Sequence, residues 1–328
     1  MPDADQVDIF ALSDFATPWS IHVLATLRVA DHIEAGVDSI DALARACDCD
    51  MDMLQRVLDH VVARGVFLQP EPGRFALNEP AQMLKDGPLR LALDLDGIGG
   101  RFALAWSGLL SQVRSGKPAY ADIFGLPFWE DLNAHPQLGA AFDALMGVAG
   151  HGAPDPEVLV DGDWDAVRTV VDVGGGTGAL LAAILQAHPH LHGILVDFPR
   201  TVADSNETFE AAGVADRVTL AGQSFFDPLP EDADLYVINR VLHDWPDAEA
   251  LALLRNCAVA VAPSGRVVVV GSVSPEPTSG GLAPDTVLVG GKNRGLAEFT
   301  NLAGRAGLSA SATGLQPTGR FIVECRKA

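Results

Sequence analysis

Basic residues are scarce in this sequence. Its 22 lysines and arginines stand against 43 aspartates and glutamates, which gives a formal net charge of −21 at pH 7. A surface with this charge repels a phosphate backbone, so we expect no nucleic-acid partner. The four cysteines include no C-x-x-C pair, and this pattern is typical of reduced thiols rather than of a metal site.

Long apolar runs are also missing. No uninterrupted run approaches the roughly 18 residues that a membrane-spanning helix needs, so we expect no membrane insertion. The first ten residues, MPDADQVDIF, lack the basic start and apolar core of a signal peptide, and a cytoplasmic location is expected. Hydrophobic residues still make up 48 % of the 328 positions, which indicates a globular chain with room for two domains.

Residues 1–95 are predicted to form a small helical domain that ends in a hairpin. Apolar residues at positions 54, 57, 58, 61 and 62 recur with helical spacing, and the following VFLQPEPGRFALN contains two short apolar runs around prolines. Helix, helix and hairpin in this order are typical of a winged helix. The second helix carries two arginines and two aspartates, so we expect it to serve packing or dimerisation rather than DNA binding.

The apolar stretch PWSIHVLATLRVADHI in the same region predicts a dimer interface. A small acidic domain has less need of so much apolar surface for its own core. We therefore expect a homodimer that buries Ile21, Leu24 and Leu27 between the chains.

Residues 96–160 are predicted to be a helical connecting segment, and residues 161–328 an α/β domain. The Gly-, Pro- and Asp-rich stretch GVAGHGAPDPEVLVDGDWD indicates the boundary between them. Beyond it, strand and helix patterns alternate, which predicts a doubly wound parallel sheet closed by an antiparallel hairpin. The predicted strands are Val167–Val173, Leu191–Val196, Val218–Leu220, Asp234–Ile238, Arg266–Val270, Ala310–Leu315 and Arg320–Cys325, and one predicted helix is Pro199–Ala212.

A glycine-rich loop, VVDVGGGTGALL, connects the first strand and first helix of this sheet. Its glycines allow a tight turn that brings a ligand close to the helix N-terminus. The glycine spacing alone also fits a nicotinamide enzyme. Asp172 before the glycines, and Asp197 at the end of the second strand, favour an adenosyl group without phosphates, because a carboxylate there can bind both ribose hydroxyls.

Five motifs in this order resemble the S-adenosylmethionine-dependent O-methyltransferases that act on small molecules, such as plant phenylpropanoid and bacterial polyketide-tailoring enzymes. The motifs are VVDVGGGTG, DFPRTV, GQSFFDPLP, RVLHDWPD and GGKNRGLAEF, and together they span nearly the whole chain. The resemblance implies a class I methyltransferase fold, with a Rossmann-like α/β sheet and an N-terminal helical winged-helix dimerisation domain. It also implies S-adenosyl-L-methionine as cofactor and a small-molecule substrate.

The resemblance assigns a set of cofactor-binding residues. Gly174 is expected under the methionine part, Asp197 at the ribose, and Asn239 at the carboxylate end. Ser224 and Phe225 are expected to flank the adenine, although the family usually has an acidic residue where Ser224 stands. The full implied set is Gly174, Gly176, Asp197, Ser224, Phe225, Asn239 and Arg240.

Polar residues follow directly after the buried strand that ends at Ile238, in YVINRVLHDWPD. Strand ends at the carboxyl edge of an open α/β sheet line the ligand crevice. By resemblance His243 is the general base that takes the proton of a phenol or enol hydroxyl. A purely structural role is the alternative for this histidine, and Asp244 or Asp247 could simply cap the next helix. The expected substrate-binding residues are Trp129, Phe142, Met146, Asp244 and Asn293, of which the three apolar ones could equally be plain core.

Two family glutamates that flank the histidine in plant members are absent here. Gly271 and Asn293 stand in their places, and the segment between Asp285 and Gly290 is several residues shorter than usual. The sequence thus predicts a His243 without an orienting carboxylate and with a pKa at or below the usual value near 6.5.

This departure keeps other reactions open. One alternative is the same cofactor fold with changed chemistry: decarboxylation, hydroxylation, cyclisation, or metal-assisted C-methylation of an α-keto acid. For the metal-assisted reaction His243 and Asp244 would be ligands, but no histidine near residues 290–300 completes a site. A non-enzymatic DNA-binding regulator is disfavoured by the net charge.

Overall fold

The computed structural model describes residues 7–147, 153–276 and 281–328. The chain divides into two compact units, Met1–Leu104 and Ala105–Ala328. The helical stretch from residue 105 onward therefore belongs to the second unit, whereas the sequence predicted a separate connecting segment over residues 96–160. The predicted boundary stretch GVAGHGAPDPEVLVDGDWD lies partly outside the described residues.

The first unit is built from short helices and a two-stranded hairpin. Its helices are α1 (Ile9–Leu12), α2 (Ala16–Thr26), α3 (Val29–Glu34), α4 (Ile40–Ala46), α5 (Met51–Val62), α6 (Glu79–Gln82), α7 (Pro88–Leu93) and α8 (Ile98–Ala105). The antiparallel strands β1 (Leu68–Glu71) and β2 (Arg74–Ala76) form the hairpin. Asp50 begins α5 by accepting a hydrogen bond from the Met53 amide at 2.9 Å, and the apolar face of α5 enters the core of this unit.

The prediction that Leu24 is buried between two chains is wrong, whereas an interface role of Ile21 and Leu27, which are only partly buried, stays a prediction. Leu24 is 1 % exposed in the core of its own unit, and Ile21 and Leu27 pack against that same core. A residue buried inside its own chain cannot also bury itself against a partner. The most exposed large apolar residues described in this unit lie earlier in the chain, at Ile9, Phe10, Leu12 and Phe15.

The second unit begins with helices and continues with alternating strands and helices. The helices are α9 (Leu109–Ser115), α10 (Tyr120–Phe124), α11 (Phe128–Ala134), α12 (Pro136–Met146), α13 (Ala179–Ala187), α14 (Pro199–Asp204), α15 (Asn206–Ala211), α16 (Asp247–Ala260), α17 (Pro284–Val289) and α18 (Leu296–Arg305). The strands are β3 (Thr169–Val173), β4 (His192–Asp197), β5 (Val218–Gly222), β6 (Leu235–Asn239), β7 (Arg266–Val270), β8 (Val273–Ser274), β9 (Arg294–Gly295), β10 (Leu308–Leu315) and β11 (Phe321–Lys327).

Seven of these strands form one sheet in the order β10-β11-β7-β6-β3-β4-β5. Strands β3 to β7 pair in parallel, and β10 and β11 close the sheet as the predicted antiparallel hairpin. Alternate residues face opposite sides, so that Val171 and Tyr236 enter one hydrophobic cluster while Val170 and Val237 enter the other. The predicted doubly wound α/β fold is confirmed.

Three local features differ from the sequence prediction. The helix expected over Pro199–Ala212 is two helices, because the Ser205 hydroxyl donates to the Val202 carbonyl at 2.7 Å and competes with the helical backbone bond. Helix α17 and the short parallel pair β8–β9 were not predicted, since elements of two to six residues carry too little periodicity to be recognised. No described helix has the length and apolar character that crossing a bilayer requires.

Candidate active site

The carboxyl ends of three neighbouring strands meet at one edge of the sheet. β3 lies between β4 and β6, and the chain order reverses at this point. The glycine loop follows β3, Asp197 ends β4, and Asn239 ends β6. Open α/β sheets bind their ligands at such a switch point. The fold therefore brings together residues that are far apart in the chain.

The glycine loop leaves its backbone open to a ligand. Gly174 and Gly176 have positive φ angles of 71° and 60°, which a side chain would strain. A Cβ added to Gly174 would lie 2.8 Å from Val241 Cγ2, so only glycine fits there. A Cβ on Gly176 would meet nothing within 4 Å. This open space beside exposed backbone suits an adenosyl cofactor that lies against the loop.

Asp197 is held rigidly at the end of β4. Its Oδ2 accepts a hydrogen bond from the Gly176 amide at 2.8 Å, and its Oδ1 accepts one from the Phe198 amide at 2.7 Å. Burial raises the pKa of this carboxyl above its usual range, and the two amide bonds act in the opposite direction. Each oxygen keeps a further lone pair, so the residues present fit the ribose diol of S-adenosylmethionine.

Asp172 lies beneath the loop and is 1 % exposed. Neither of its carboxylate oxygens has a hydrogen-bond partner among the residues that the structure describes. Burial, followed by the charge of Asp197, raises the pKa of Asp172 to about 7. The neutral acid is therefore well populated at neutral pH, which lowers the cost of burying this side chain.

The other predicted cofactor residues lie around the same edge. The Phe225 ring is 8 % exposed and passes 3.4 Å from the position that a Gly174 Cβ would occupy. The Ser224 hydroxyl accepts a hydrogen bond from the Phe226 amide at 3.2 Å and so stabilises its own turn. Asn239 is partly exposed at the end of β6, and Arg240 follows it with a φ of 58°, a conformation that non-glycine residues adopt mostly at functional sites or turns.

His243 lies in a single 3₁₀ turn, Leu242–Asp244, directly after this edge. Its Nδ1 is 3.0 Å from the Ser272 hydroxyl, and its Nε2 is 3.4 Å from Asp244 Oδ1. If Nδ1 carries the proton and donates to Ser272, Nε2 has a lone pair available for a substrate proton. Burial lowers the pKa of His243 below its usual value, as the sequence predicted.

The two family glutamates are absent beside His243, as the sequence shows, but another carboxylate lies near the ring. Gly271 and Asn293 indeed provide none, but Asp285 reaches the same place from the first turn of α17. One ligand atom each of His243, Asp244 and Asp285 lie within 4.8 Å of one another, the arrangement of a possible metal site. Burial, then the charge of Asp285, raises the pKa of Asp244 to about 8. The feature of the sequence that could have indicated this approach of Asp285 is the shortened segment between Asp285 and Gly290.

Arg294 is a site residue that sequence reasoning missed. It is 1 % exposed, and its guanidinium donates to the carbonyls of Leu242 at 3.1 Å and Trp245 at 2.8 Å. It also donates to Asp247 at 2.9 and 3.0 Å. These bonds hold both ends of the His243 turn. Asp244 and Asp247, the alternative caps that the sequence offered, do not cap α16, whose N-cap is Pro246. Asn293 is exposed.

Aromatic rings from α11 and α12 adjoin this turn. Trp129 stacks on Trp245 with ring centroids 6.2 Å apart and meets Phe142 edge-on at 5.4 Å. The indole N–H groups of Trp129 and Trp245 are buried and have no acceptor within the described part of the chain. Two of the three predicted apolar pocket residues thus lie together, while Met146 is 43 % exposed at the end of α12.

Comparisons with known proteins agree with this geometry. The family profile of the O-methyltransferase domain matches residues 106–309. A 2,7-dihydroxy-5-methyl-1-naphthoate 7-O-methyltransferase from Streptomyces carzinostaticus is 40 % identical over 315 residues, 94 % of each chain. An aclacinomycin 10-hydroxylase from Streptomyces purpurascens is 39 % identical over 316 residues, 92 % of this chain and 83 % of the relative.

A crystal structure shows the same architecture with ligands bound. It is an O-methyltransferase from neocarzinostatin biosynthesis in complex with S-adenosylmethionine and 2-hydroxy-5-methyl naphthoic acid. It superimposes with a TM-score of 0.90 at 39 % identity, over 99 % of this chain and 100 % of its own. The expected cofactor class and fold are thereby confirmed, and the chain belongs to the O-methyltransferase domain family of S-adenosylmethionine-dependent enzymes.

Proposed function

We propose that this chain methylates a hydroxyl group of an aromatic, polyketide-type acid in secondary metabolism, with His243 as the general base. The observation that carries this proposal is the position of His243. The imidazole, whose pKa burial lowers so that the neutral ring is favoured, lies directly after β6, at the strand edge that holds the glycine loop and Asp197. Base and cofactor cradle thus adjoin the same crevice.

When bound, S-adenosylmethionine supplies a methyl group made electrophilic by positive sulfur, and the sulfur keeps the electrons of the broken carbon–sulfur bond. The residues of this chain position that cofactor and remove a proton. Asp197 would bind the ribose hydroxyls, with Gly174, Gly176, Asn239 and Arg240 along the methionine part and Ser224 and Phe225 near the adenine. His243 Nε2 would take the hydroxyl proton as the oxygen attacks, beside Asp244.

The aromatic cluster supports a flat, oxygenated substrate. The Trp129 ring centroid lies 5.4 Å from that of Phe142 and 6.2 Å from that of Trp245, so this cluster offers ring faces and edges. Buried polar groups are usually hydrogen-bonded, so the two indole N–H groups without acceptors are suited to substrate oxygens. The relatives named for naphthoate substrates agree with this shape. Met146 and Asn293 remain proposed pocket residues.

The test is methyl transfer from labelled S-adenosylmethionine to a panel of hydroxynaphthoic acids, with His243→Ala beside the unaltered chain. Loss of the base should lower the rate by about 10²–10⁴, while cofactor affinity stays nearly constant. In the unaltered chain kcat/KM should rise with pH through the imidazole pKa, because only the neutral ring accepts a proton. Burial places that rise below the usual value near 6.5.

His192→Ala is the matched control, since His192 is exposed at the start of β4, at the opposite end of the strand from Asp197. It should leave both rate and cofactor affinity unchanged. A His243→Ala variant that keeps most of its activity would show that positioning alone drives the transfer and that the histidine is structural.

Hydroxylation of a related polyketide is the second candidate. It is favoured by the 39 % identical relative named aclacinomycin 10-hydroxylase, which spans 92 % of this chain. Mass spectrometry separates the two reactions, because methylation adds about 14 Da to the product and hydroxylation about 16 Da. A product that gains oxygen and no labelled methyl group would favour this candidate.

We further propose that the chain is a cytoplasmic homodimer whose interface includes the N-terminal segment 7–15. All four cysteines are free thiols, as expected in a reducing compartment. Ile9, Phe10, Leu12 and Phe15 are each at least 66 % exposed. A cluster of large apolar side chains on the surface is costly in water, and burial against a second copy removes that cost.

A further inference from the structure

Asp285 is the only carboxylate among the described residues that joins His243 and Asp244 in one cluster with all three ligand atoms within 4.8 Å. It lies 41 positions further along the chain, in the first turn of α17. The two positions that could otherwise supply a carboxylate hold Gly271 and Asn293. The cluster is therefore a product of the path that the chain takes from 285 to 294.

Gly291 is the feature that lets Asp285 approach. A Cβ on Gly291 would lie 2.7 Å from Asp285 Oδ2 and 2.6 Å from the His243 carbonyl oxygen. Real Cβ atoms do not come so close, so the carboxylate and the His243 backbone both occupy space that only glycine leaves. The Gly291 amide donates to the Asp285 carbonyl at 3.2 Å, and the Lys292 amide donates to the His243 carbonyl at 2.8 Å. Residues 285–292 thus pack closely against the turn that carries His243.

The charges around the imidazole are mixed. Arg240 and Arg294 approach from the ends of β6 and β9 and lower the pKa of His243, in addition to the larger effect of burial. Asp285 acts in the opposite direction. Asp244 lies at Nε2, and the uncharged Ser272 hydroxyl lies at Nδ1. Among these neighbours Asp285 is the group that offsets the two arginines when the ring becomes positive.

We propose that Asp285 is a positioning residue that stabilises protonated His243 during methyl transfer, in place of the two absent glutamates. This inference rests on the proposed role of His243 as general base. The substrate hydroxyl proton moves to Nε2, and the oxygen keeps the bonding pair with which it attacks the methyl carbon. The resulting imidazolium carries one positive charge beside the Asp285 carboxylate. The proton then passes to solvent, and the neutral ring is restored for the next turnover.

The first test is an NMR titration of the cofactor-free protein with isotopically labelled histidine. The His243 signal is identified as the one that is missing from His243→Ala. Removal of the negative charge in Asp285→Asn should lower the His243 pKa, because imidazolium loses a stabilising neighbour. Asp285→Glu should restore most of the shift. Asp216→Asn, the same change at an exposed site, should leave the His243 pKa unchanged.

The second test is the pH profile of methyl transfer. Asp285→Asn should move the rising limb of kcat/KM to lower pH and lower the plateau by about 10–100-fold, with cofactor affinity retained. A folded Asp285→Asn protein with an unchanged His243 pKa would overturn the proposal. Loss of activity on chelation, restored by a divalent metal, would also overturn it, because Asp285 would then be a ligand. Full activity in His243→Ala would instead show that His243 is not the general base, and this outcome is distinct from an unchanged His243 pKa in Asp285→Asn.

Discussion

At the residue scale, Asp197 uses one carboxylate for two tasks. It ties the glycine loop to the end of β4 through the Gly176 amide, and it presents its remaining lone pairs at the sheet edge. Its neighbour Asp172 is buried beneath the loop and has no partner among the described residues. The two carboxyls therefore differ in environment, since Asp197 accepts hydrogen bonds from two backbone amides and Asp172 from none of the described residues.

The prediction at this scale concerns cofactor binding. Asp197→Ala should weaken S-adenosylmethionine binding by at least tenfold, because the ribose hydroxyls would lose their acceptors in a partly buried site. Isothermal titration calorimetry gives the dissociation constant. Asp204→Ala, which removes an exposed aspartate from the nearby helix α14, is the matched control and should bind as the unaltered chain does. Equal affinities for all three proteins would refute the ribose assignment.

At the element scale, the 3₁₀ turn that carries His243 is too short to be stable by itself. Its carbonyls are held by side chains and amides from the segment after α17. Arg294 donates to Leu242 and Trp245, on either side of His243 and Asp244. In the proposed reaction a base held on such a turn keeps its distance to the substrate, so this support would link packing to catalysis.

Arg294→Lys should destabilise the protein by about 2–4 kcal/mol, because lysine cannot reach several carbonyls at once and leaves buried acceptors unpaired. Chemical denaturation measures the change. The control is Lys292→Ala, which removes a 42 % exposed partner of the same Asp247 and should cost no more than about 1 kcal/mol. Similar losses in both variants would mean that the buried guanidinium contributes little.

At the scale of the whole molecule, a large net negative charge is combined with an exposed apolar N-terminal segment. The net charge of −21 keeps such chains apart, yet the N-terminal segment exposes Phe10 at 85 % and Phe15 at 77 %. The second unit contains the sheet, the glycine loop and His243. The proposed catalytic residues therefore lie in the second unit, whereas the proposed dimer contact lies in the first.

Light scattering at micromolar concentration should give the mass of a dimer, twice 34.4 kDa. Replacing Phe10 and Phe15 together by aspartate should shift the protein toward monomer, because two charges would enter an apolar contact. Val259→Asp introduces a charge at an apolar position that is 75 % exposed on α16 and should leave the mass unchanged. A monomeric unaltered chain would refute the proposed dimer.

Local patterns in the sequence were sufficient to predict most strands of the second unit and the glycine loop. The strands around Val170, Val237 and Val268 are rich in buried valine and other apolar residues, as is typical of buried parallel strands. The glycine loop, Asp197 and the polar stretch after Ile238 were placed correctly at strand ends. These features follow from neighbours in the chain, because a strand–turn–helix unit contains its own signals of start, turn and burial.

Only the tertiary structure determined which residues from distant segments of the chain contact one another. Leu24 has the same apolar side chain whether it faces a partner or its own core, and only the packed helices assign it to the core. Asp285 lies near His243, and Arg294 hydrogen-bonds the turn, because a shortened segment with Gly291 folds back onto the 3₁₀ turn after β6. Such contacts depend on the course of a loop to within a few ångströms. Residue identity and spacing do not encode that distance, whereas packing against the sheet does.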